Sequence, residues 1–527
     1  MRPFLGRLGV YLPAIVALGL PTAFIPTAED SFILPRASIV IAGACLGSGI
    51  ALLAPGGPGL GRLRWPLLAA VGTAILAFLF SISWPLSLAG SYTRYESLPI
   101  RLAYLGLFAT AVWLLRERRS REWVVAALVF GTAIACLEAL LQLSQQVPYR
   151  PDGNLGNANL LGALIAMALP LAVARGLRGD RFTVAWWLGA AVLGGGLFAT
   201  TSRSGGLGAL AGCLTLAVFA FRGRMAAIAA IASTAVIATA LLVIVLSPLQ
   251  FLNDDPARLR IHLWQDGLRM IAARPLTGWG PDATGLTLGR FLSGDWSPGV
   301  TFDRIHSGPL DIVATQGILG AAALAIVLVI LLRGAWRTRF AGETGALTAA
   351  CVGYSVWVLF NFDWAPATGA FWLVAGTAWS AVRAYEVSRA QQGEPASPAI
   401  PRPAAWRSGV AIVLALAAIA LGALPVLADV WYLQGRTELS VRVDPFQARY
   451  HWALGQALVA QNLTARGVDE MLRAADLGET EPGLYVELGD AEAQLGRFAD
   501  ARRDYKRALQ IDPFYTPASQ RLAAMGT

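Results

Sequence analysis

The sequence predicts an all-α, polytopic membrane protein that ends in a small helical-repeat module. Of the 527 residues, 56% are apolar and only 14% are charged, and the mean hydropathy is +0.55. Soluble domains rarely have this composition, whereas repeated apolar stretches of about 20 residues, each long enough to cross a bilayer, produce it. After Ala428 the charge density rises and apolar residues recur at helical spacing. We therefore predict a membrane domain at 1–428 and an extracytoplasmic repeat module at 429–527.

Apolar windows in the first domain indicate about thirteen membrane-spanning helices. The first window lacks a small-residue cleavage site followed by a soluble domain, so we expect a retained span and not a signal peptide. The four cysteines all fall inside apolar segments without metal-ligand spacing, which is typical of small hydrophobic residues within a bilayer. The approximate span centres are Val16, Leu46, Ile75, Leu107, Gly131, Ala166, Ala191, Leu214, Ala238, Leu324, Gly353, Ala375 and Ala417.

Arginines occupy every second loop between these spans, which predicts the orientation of the chain. Because cytoplasmic loops carry the basic excess, the N-terminus is expected inside, and an odd number of spans places the C-terminal module outside. The scattered loop arginines also explain the net charge of +9, so no nucleic-acid partner is expected. The basic loops carry Arg2, Arg7, Arg62, Arg64, Arg116, Arg118, Arg119, Arg121, Arg175, Arg178, Arg181, Arg222, Arg224, Arg333, Arg337 and Arg339.

The longest polar interruption runs from Pro248 to Gly320 and includes a large outside loop at 248–304. It carries arginines, carboxylates and two of the chain's three histidines. Polar groups that a bilayer protein concentrates in one loop are most simply explained by chemistry in that loop. Five shorter loops are predicted on the same side of the membrane, at Glu29–Asp30, Arg94–Glu96, Pro148–Asn159, Thr201–Gly206 and Asn361–Pro366.

Two of the shorter loops contain candidate ligand-binding residues. Asn154, Asn157 and Asn159 precede a span, where an asparagine either contacts a ligand or caps the helix. Arg203 lies in the segment Thr200–Gly206, which joins two spans with almost no loop. An arginine at a membrane boundary is costly without an anionic partner, and the small residues around it let a ligand approach the backbone. The alternative is an arginine that snorkels to the interface.

A third candidate is the helical stretch Asp255–Arg274, in which Arg258 and Arg260 lie between apolar residues at helical spacing. This pattern predicts an amphipathic helix on the outer leaflet. Such a position does not prevent Arg260 from facing a ligand. His262 has no acid or metal partner at a suitable spacing, so we interpret it as structural.

The fourth candidate is His306, in the segment Phe302–Ser307 where the long loop re-enters the membrane. A histidine there is either a general base near neutral pH or a polar residue at a helix start. Arginines that hold a diphosphate and a histidine that takes a proton from a sugar hydroxyl would together suit glycosyl transfer from a lipid diphosphate. Neither a cofactor nor a metal is expected, because Glu29–Asp30 and Asp254–Asp255 are adjacent pairs without a third ligand.

The C-terminal segment contains two units that repeat at a 34-residue offset. Leu454–Gly455 recurs as Leu488–Gly489, and Ala474 recurs as Ala508. The second unit closely resembles the tetratricopeptide consensus, while the first is degenerate. Stacked helix pairs form a concave surface, so we expect the module to dock a protein partner or to brace the membrane core. His451 lies in this module and is interpreted as a surface or packing residue.

At the candidate residues of the outside loops, the chain resembles the O-antigen ligase/polymerase superfamily of bacterial membrane glycosyltransferases. The resemblance covers roughly Leu155 to Trp372, and its specificity comes from the order and placement of several individually weak segments. Members with a C-terminal tetratricopeptide module also exist, which fits the repeat units. The matching segments are LGNANLLGALIAMALP, TTSRSGGLGAL, RIHLWQDGLRMIAARPLTGWGPD, FDRIHSGPLDIVATQGILG and NFDWAPATGAFW.

The resemblance implies a GT-C type fold in the bacterial cytoplasmic (inner) membrane and an undecaprenyl-diphosphate-linked glycan donor. It also implies inverting, metal-independent transfer at the periplasmic face. Arg203 and Arg260 would contact the donor diphosphate, and His306 would activate the acceptor hydroxyl. The family usually has asparagine after that histidine, which places the local geometry around Ser307 in question. The substrate-binding set that we predict is Arg203, Arg260, Arg258, Asn157, Asn159 and Ser307.

Several alternatives stay open from the sequence. The acceptor can be a glycan, a lipid core or a protein hydroxyl. A metal-dependent GT-C glycosyltransferase that uses a polyprenyl monophosphate-sugar, with Glu29 and Asp30 at its site, is a second enzyme class. A transporter of lipid-linked glycan would use Arg203 and Arg260 for headgroup binding alone, although charged residues are nearly absent from mid-span positions. A catalytically silent scaffold that carries the repeat module is the third alternative.

Overall fold

The computed structural model describes residues 2–54, 59–246, 257–296, 302–390 and 405–525. Every element of regular secondary structure within these ranges is helical, which confirms the all-α prediction. The first half of the membrane domain contains α1 (Arg2–Thr22), α2 (Ile33–Leu53), α3 (Arg64–Leu79), α4 (Trp84–Ala89), α5 (Leu98–Leu114), α6 (Arg118–Ser144), α7 (Ala158–Gly176), α8 (Thr183–Thr200) and α9 (Arg203–Ala220).

The second half of the membrane domain includes the long polar loop, which contains α11 (Ala257–Ala273) and α12 (Thr284–Thr287). Short 3₁₀ turns at Gly61–Leu63 and Leu288–Phe291 and a π-helical turn at Ile419–Ala423 interrupt the helices. The helices are α10 (Gly223–Leu246), α11 (Ala257–Ala273), α12 (Thr284–Thr287), α13 (Gly308–Arg337), α14 (Thr344–Val358), α15 (Ala365–Ala390), α16 (Ala405–Ala418) and α17 (Leu424–Leu433).

Nine helices within the described ranges are long and apolar enough to cross a membrane. Three shorter apolar helices, Gly9–Thr22, Leu98–Leu114 and Thr344–Val358, lie among them. The polytopic prediction is therefore confirmed, but the count of about thirteen spans is not. The nine are Ile33–Leu53, Gly61–Leu79, Arg118–Ser144, Ala158–Gly176, Thr183–Thr200, Arg203–Ala220, Gly223–Leu242, Gly308–Arg337 and Trp406–Leu433.

The centre of the bundle is formed by helices that pack through small residues. A Cβ on Gly205 of α9 would lie 2.8 Å from the Cα of Gly162 on α7, and a Cβ on Gly208 would lie 2.5 Å from the carbonyl oxygen of Gly353 on α14. Glycine lets helix backbones approach this closely in a bilayer, where dispersion contacts take over from the hydrophobic effect. This packing places the N-terminal end of α9 beside the C-terminal end of α14.

Helix α13 is broken at Gly317, and the break anchors the long loop. Gly317 has φ 68° and ψ −179°, a conformation that glycine adopts without steric cost. The carbonyl oxygens of Ala314 and Thr315 accept hydrogen bonds from the amides of Trp279 (2.8 Å) and Gly280 (3.1 Å). Backbone groups in a membrane protein must find partners inside the protein, and here a loop segment supplies them. The middle of the loop is thereby fixed against α13.

The amphipathic helix predicted at Asp255–Arg274 is α11, which has one buried side and one exposed side. Leu263, Asp266 and Met270 are buried against the core of the long loop, which includes Trp279 and Trp296. Ile261 and Leu268, which belong to the apolar stripe seen in the sequence, are exposed. Only the side that carries Ile261 and Leu268 can therefore face the leaflet, because Trp264 and Ile271 of the same apolar set pack on the core of the long loop.

The C-terminal segment forms stacked helix pairs, as predicted. The repeat at a 34-residue offset corresponds to the pair α19–α20 and the pair α21–α22. His451 is buried, and its ring bonds to Glu470 (2.7 Å) and to the carbonyl of Pro445 (3.1 Å), which makes it a packing residue. The helices are α18 (Thr437–Val443), α19 (Ala448–Ala460), α20 (Thr464–Leu477), α21 (Pro482–Gln494), α22 (Phe498–Ile511) and α23 (Thr516–Ala524).

The repeat module packs directly on the loops of the membrane domain. Leu86 of α4 and Leu286 of α12 belong to the same buried apolar cluster as the repeat helices. Asp429 of α17 accepts hydrogen bonds from the hydroxyls of Tyr92 (2.7 Å) and Tyr450 (3.0 Å), so it joins a membrane-domain loop to α19. The module therefore covers the same face of the bundle as the polar loops.

Candidate active site

The loop between α14 and α15 brings together three segments that the sequence singled out. We call it the 360–364 loop; its residues are Phe360, Asn361, Phe362, Asp363 and Trp364. The carbonyl of Phe360 accepts a hydrogen bond from the Nη1 of Arg260 on α11. The Nδ2 of Asn361 donates to the Oγ of Ser204 on α9 at 3.0 Å. The ring of Phe362 lies edge-on to the ring of His306, with centroids 5.1 Å apart.

Arg203 is the first residue of α9 and is half-buried. The preceding residue, Ser202, caps the helix: its Oγ accepts from the amide of Gly205 at 3.2 Å and donates to the Oδ1 of Asn159 at 2.9 Å. The N-terminus of α9 carries the positive end of the helix dipole, which favours an anion. Arg203 therefore lies at a helix end that is already electrostatically suited to a phosphate group.

The asparagines predicted as ligand residues have structural partners. Asn157 caps α7, and its Oδ1 accepts from the amide of Asn159 at 2.8 Å. The Oδ1 of Asn159 is also 3.3 Å from the Nη2 of Arg150. Asn154 has φ 61°, and its carbonyl accepts from the Nη2 of Arg36 at 2.8 Å. Capping, the alternative stated for this motif, therefore accounts for Asn157, whereas Asn159 lies next to the start of α9.

His306 is held at the entry to α13 by its backbone. Its φ is 57°, and its carbonyl accepts from the Nε1 of Trp264 at 3.4 Å. The helix start is fixed by Asp311, whose Oδ1 accepts from the amide of Ile305 at 3.1 Å. Ser307 is the buried N-cap residue, and its side chain makes no capping hydrogen bond. The imidazole itself is half-buried and borders the 360–364 loop.

Two ion pairs that sequence reasoning did not select lie near this histidine. Arg94 forms an ion pair with Asp303, and its guanidinium lies over the rings of Phe362 (5.0 Å) and Trp364 (4.5 Å). Arg304 forms a buried ion pair with Asp282. Burial raises the pKa of Asp303, but the nearby Arg94 and Arg304 outweigh burial and hold that pKa below its usual value. Asp303 is thus a fixed negative charge beside the imidazole.

A carboxylate pair, formed by Glu96 and by Asp363 of the 360–364 loop, borders a largely apolar cavity. Burial, reinforced by the charge of Asp363, raises the pKa of Glu96 to about 8. Glu96 accepts from the hydroxyl of Tyr104 at 2.5 Å, and Asp363 accepts from the hydroxyl of Tyr354 at 3.0 Å. The cavity has a volume of about 420 Å³, and Gly308, two residues after His306, forms part of its wall. An apolar cavity thus adjoins the polar cluster.

The remaining candidates lie elsewhere or have structural partners. The side chain of Arg258 and the pair Asp254–Asp255 lie outside the described residues. His262 bonds to Ser293, packs near Trp296 and lies 3.3 Å from the Oδ1 of Asp295, an acidic partner that its spacing in the sequence did not predict. Asp30 caps α2 and accepts from the amides of Phe32, Ile33 and Leu34. Within the described ranges no three or more His, Cys, Asp or Glu residues form a group that could hold a metal ion.

The loops assigned to one side by charge alternation contact each other in the structure. The indole Nε1 of Trp364 donates to the carbonyl of Thr93 at 3.0 Å, and Asp282 accepts from the amide of Ser91 at 2.6 Å. These loops therefore form one polar face of the bundle. Which side of the membrane this face occupies stays a prediction of the positive-inside rule.

Comparison with known families agrees with this geometry. Residues 188–325 match the O-antigen ligase family model. The matched segment starts within α8 and ends within α13, so it contains Arg203, Arg260 and His306, whereas the 360–364 loop follows it. Residues 482–515 match the tetratricopeptide repeat model, which covers α21 and α22.

The resemblance stated from the sequence is therefore confirmed for both segments. No curated protein matches the chain. The O-antigen ligase match supports a membrane protein with a glycan-transfer function.

Proposed function

We propose that this protein transfers a glycan from an undecaprenyl-diphosphate-linked donor to an acceptor hydroxyl at the outer face of the cytoplasmic membrane. The observation that carries the proposal is the convergence of Arg260, the first turn of α9 and His306 on the 360–364 loop. These segments lie far apart in the sequence of a mostly apolar chain. The O-antigen ligase match, which contains all three residues, supports the same assignment.

In this proposal Arg203 and Arg260 hold the diphosphate. A guanidinium presents several N–H groups in a plane and can bond two phosphate oxygens at once. The amides at the start of α9 add further donors. Charge builds up on the diphosphate as its bond to the sugar breaks, so these groups stabilise the transition state more than the ground state.

His306 would act as the general base. The acceptor hydroxyl attacks the anomeric carbon, the acceptor oxygen forms the new bond to that carbon, and its proton moves to a ring nitrogen of His306. The bond between the anomeric carbon and the diphosphate oxygen breaks, and the undecaprenyl diphosphate leaves with the electron pair. Attack from the side opposite the leaving group inverts the anomeric configuration. The negative charge of Asp303 would stabilise the imidazolium that forms.

The lipid portion of a substrate would enter through the apolar cavity. Its walls come from α3, α5, α13, α14 and α15, and its polar end reaches Glu96 and Asp363. A pocket that is largely apolar with a few converging polar groups suits an amphiphile. The proposal leaves the acceptor as a glycan, lipid or protein hydroxyl. The repeat module, on the same face, would guide that acceptor or a protein partner.

The test uses the full-length protein in nanodiscs with a fluorescent undecaprenyl-diphosphate oligosaccharide and a mixture of candidate acceptors. We expect donor turnover that EDTA does not affect and that His306→Ala, Arg203→Ala and Arg260→Ala each reduce at least about 100-fold. His262→Ala and Arg290→Ala are the matched controls in the same loop. They should keep most of the activity because neither side chain borders the 360–364 loop.

Other results would redirect the assignment. Activity lost to EDTA while His306→Ala survives would contradict the proposed site and would favour a metal-dependent glycosyltransferase. Donor binding by the wild type without turnover, whatever acceptor is offered, would favour a transporter. The mass of the product would identify the acceptor.

A further inference from the structure

A second polar concavity lies at the far ends of α13 and α15. Both helices begin beside the candidate active site, and α13 extends for 30 residues, about 45 Å at 1.5 Å per residue. The concavity has a volume of about 630 Å³. It lies between the 3₁₀ turn at Gly61–Leu63 and the last turns of the two helices. Its charged lining consists of Arg62, Arg333, Arg337, Arg383, Arg389 and Glu386.

The charge of this pocket is strongly unbalanced. The lining contains five guanidinium groups and one carboxylate, Glu386. That carboxylate forms an ion pair with Arg383. Arg333 and Arg337 are one turn apart on α13, where like charges repel and destabilise a helix. In the part of the chain that the structure describes, neither of these two side chains has a hydrogen-bond or ion-pair partner. An anionic ligand would relieve this repulsion.

The floor of the pocket contains the indole of Trp379. The ring of Trp379 lies under Gly334, whose added Cβ would be 2.5 Å from that ring, and its Nε1 donates to the carbonyl of Leu60 at 2.9 Å. Arg383 is oriented by a hydrogen bond from its Nε to the carbonyl of Gly59 at 3.2 Å. The arginines come from three segments that border one apolar floor; Arg383 is half-buried, whereas Arg62, Arg333, Arg337 and Arg389 are exposed.

We propose that this pocket binds the headgroup of an anionic phospholipid. Arg62, Arg333 and Arg337 belong to the basic set that the positive-inside rule places in the cytoplasm, and basic pockets between helices at that interface suit phosphate headgroups. The phosphodiester would lie between Arg333 and Arg337, and the apolar floor would hold the adjoining part of the lipid. A soluble phosphate ester offers the same charge but has no apolar part that would pack on that floor.

Native mass spectrometry of the full-length protein tests this assignment. Delipidated protein in detergent is titrated with phosphatidylglycerol or with phosphatidylethanolamine of the same acyl chains. We expect preferential retention of phosphatidylglycerol and about a 30-fold loss of its affinity in the double variant Arg333→Gln/Arg337→Gln. The matched control is Arg119→Gln/Arg224→Gln, which removes two exposed arginines from other basic loops of the same side and should bind like the wild type.

A charge-retaining variant distinguishes the loss of positive charge from a general effect of substitution on folding. Arg333→Lys/Arg337→Lys should keep most of the phosphatidylglycerol affinity, because the positive charges remain. Equal binding of the two lipids, or equal losses in the glutamine variant and its control, would overturn the proposal. Inorganic pyrophosphate that displaces phosphatidylglycerol at equal concentration would also overturn the lipid assignment in favour of a soluble anion.

Discussion

Asn361 donates a hydrogen bond from its Nδ2 to the Oγ of Ser204 at 3.0 Å, across 157 residues of sequence. The same amide also bonds the carbonyl of Trp357 at 2.9 Å, so it fixes the end of α14 and the start of α9 together. Arg203 precedes Ser204, and Phe360, whose carbonyl holds Arg260, precedes Asn361. One buried amide therefore determines the spacing of the two arginines that we propose bind the diphosphate.

Asn361→Ala should lower the turnover number about 100-fold with a smaller change in donor affinity. The substitution removes both hydrogen bonds, and a displacement of about 1 Å of a positioning group is enough for such a loss. Steady-state kinetics in nanodiscs would separate the two parameters. Gln145→Ala, an exposed amide side chain at the end of α6, is the matched control. Wild-type turnover by Asn361→Ala would show that the amide does not position the arginines.

Glu96 should make the stability of the fold depend on pH. Burial raises its pKa from 4.5 to about 8, so the folded state binds a proton that the unfolded state releases. This contribution is fully present below pH 4.5 and is lost as the pH rises through about 8. Glu96→Gln should therefore raise the unfolding temperature at pH 8 and change it little at pH 4.5. Glu117→Gln, an exposed residue, is the control.

Thermal scans of the purified protein between pH 4.5 and 8.5 measure this effect. The wild type should lose stability over that range relative to Glu96→Gln. Parallel curves for the two proteins would show that Glu96 titrates alike in the folded and unfolded states, which would contradict its raised pKa.

The general architecture follows from local sequence features. Apolar windows of about 20 residues locate helices because each must bury its backbone within the bilayer. The 34-residue repeat locates α19 to α22 for a similar reason, since each unit packs on its neighbour. The order of the segments around Arg203, Arg260 and His306 also indicates the family. These features require no knowledge of which helices are neighbours.

The rest of the site depends on contacts between distant segments, which no local pattern reveals. Arg94 and Asp303 are 209 residues apart, and each alone resembles an ordinary loop residue. The sequence placed Asn361 in an outside loop and in the resembling segment NFDWAPATGAFW, but neither feature predicted its hydrogen bond to Ser204. The capping roles of Asn157 and Asp30 could be anticipated because capping is local. Pairing of charges across the fold could not.

Gly317→Ala should destabilise the protein and reduce donor turnover. An added Cβ would lie 1.9 Å from the carbonyl oxygen of Leu276, and the φ of 68° is unfavourable for alanine. Strain of this kind costs on the order of 1–3 kcal/mol. The segment that contains Trp279 would have to leave the broken turn of α13, and the long loop would lose its anchor.

Unfolding temperature and turnover, measured on the same preparation, test the Gly317 prediction. Gly294→Ala is the control, because an added Cβ there meets no atom within 4 Å. A Gly317→Ala variant with wild-type stability would mean that the α13 break tolerates a side chain, and the anchoring role would be wrong.

Gly289→Ala should loosen the contact between the repeat module and the long loop. An added Cβ would lie 2.0 Å from the carbonyl oxygen of Ile511, at the end of α22. Overpacking typically costs about 1–3 kcal/mol, so the module should separate transiently. Hydrogen–deuterium exchange of the α22 amides should then increase. If the module braces the loop that contains Asp282 and Arg304, donor turnover should fall as well.

The two readouts distinguish bracing from partner docking. Faster exchange in α22 with reduced turnover supports bracing, because the loop beside His306 would lose its support from the repeat helices. Faster exchange with unchanged turnover would show that the module serves a partner or acceptor instead. Unchanged exchange, with Gly294→Ala as the reference, would contradict the packing of Gly289 against Ile511 on which the prediction depends.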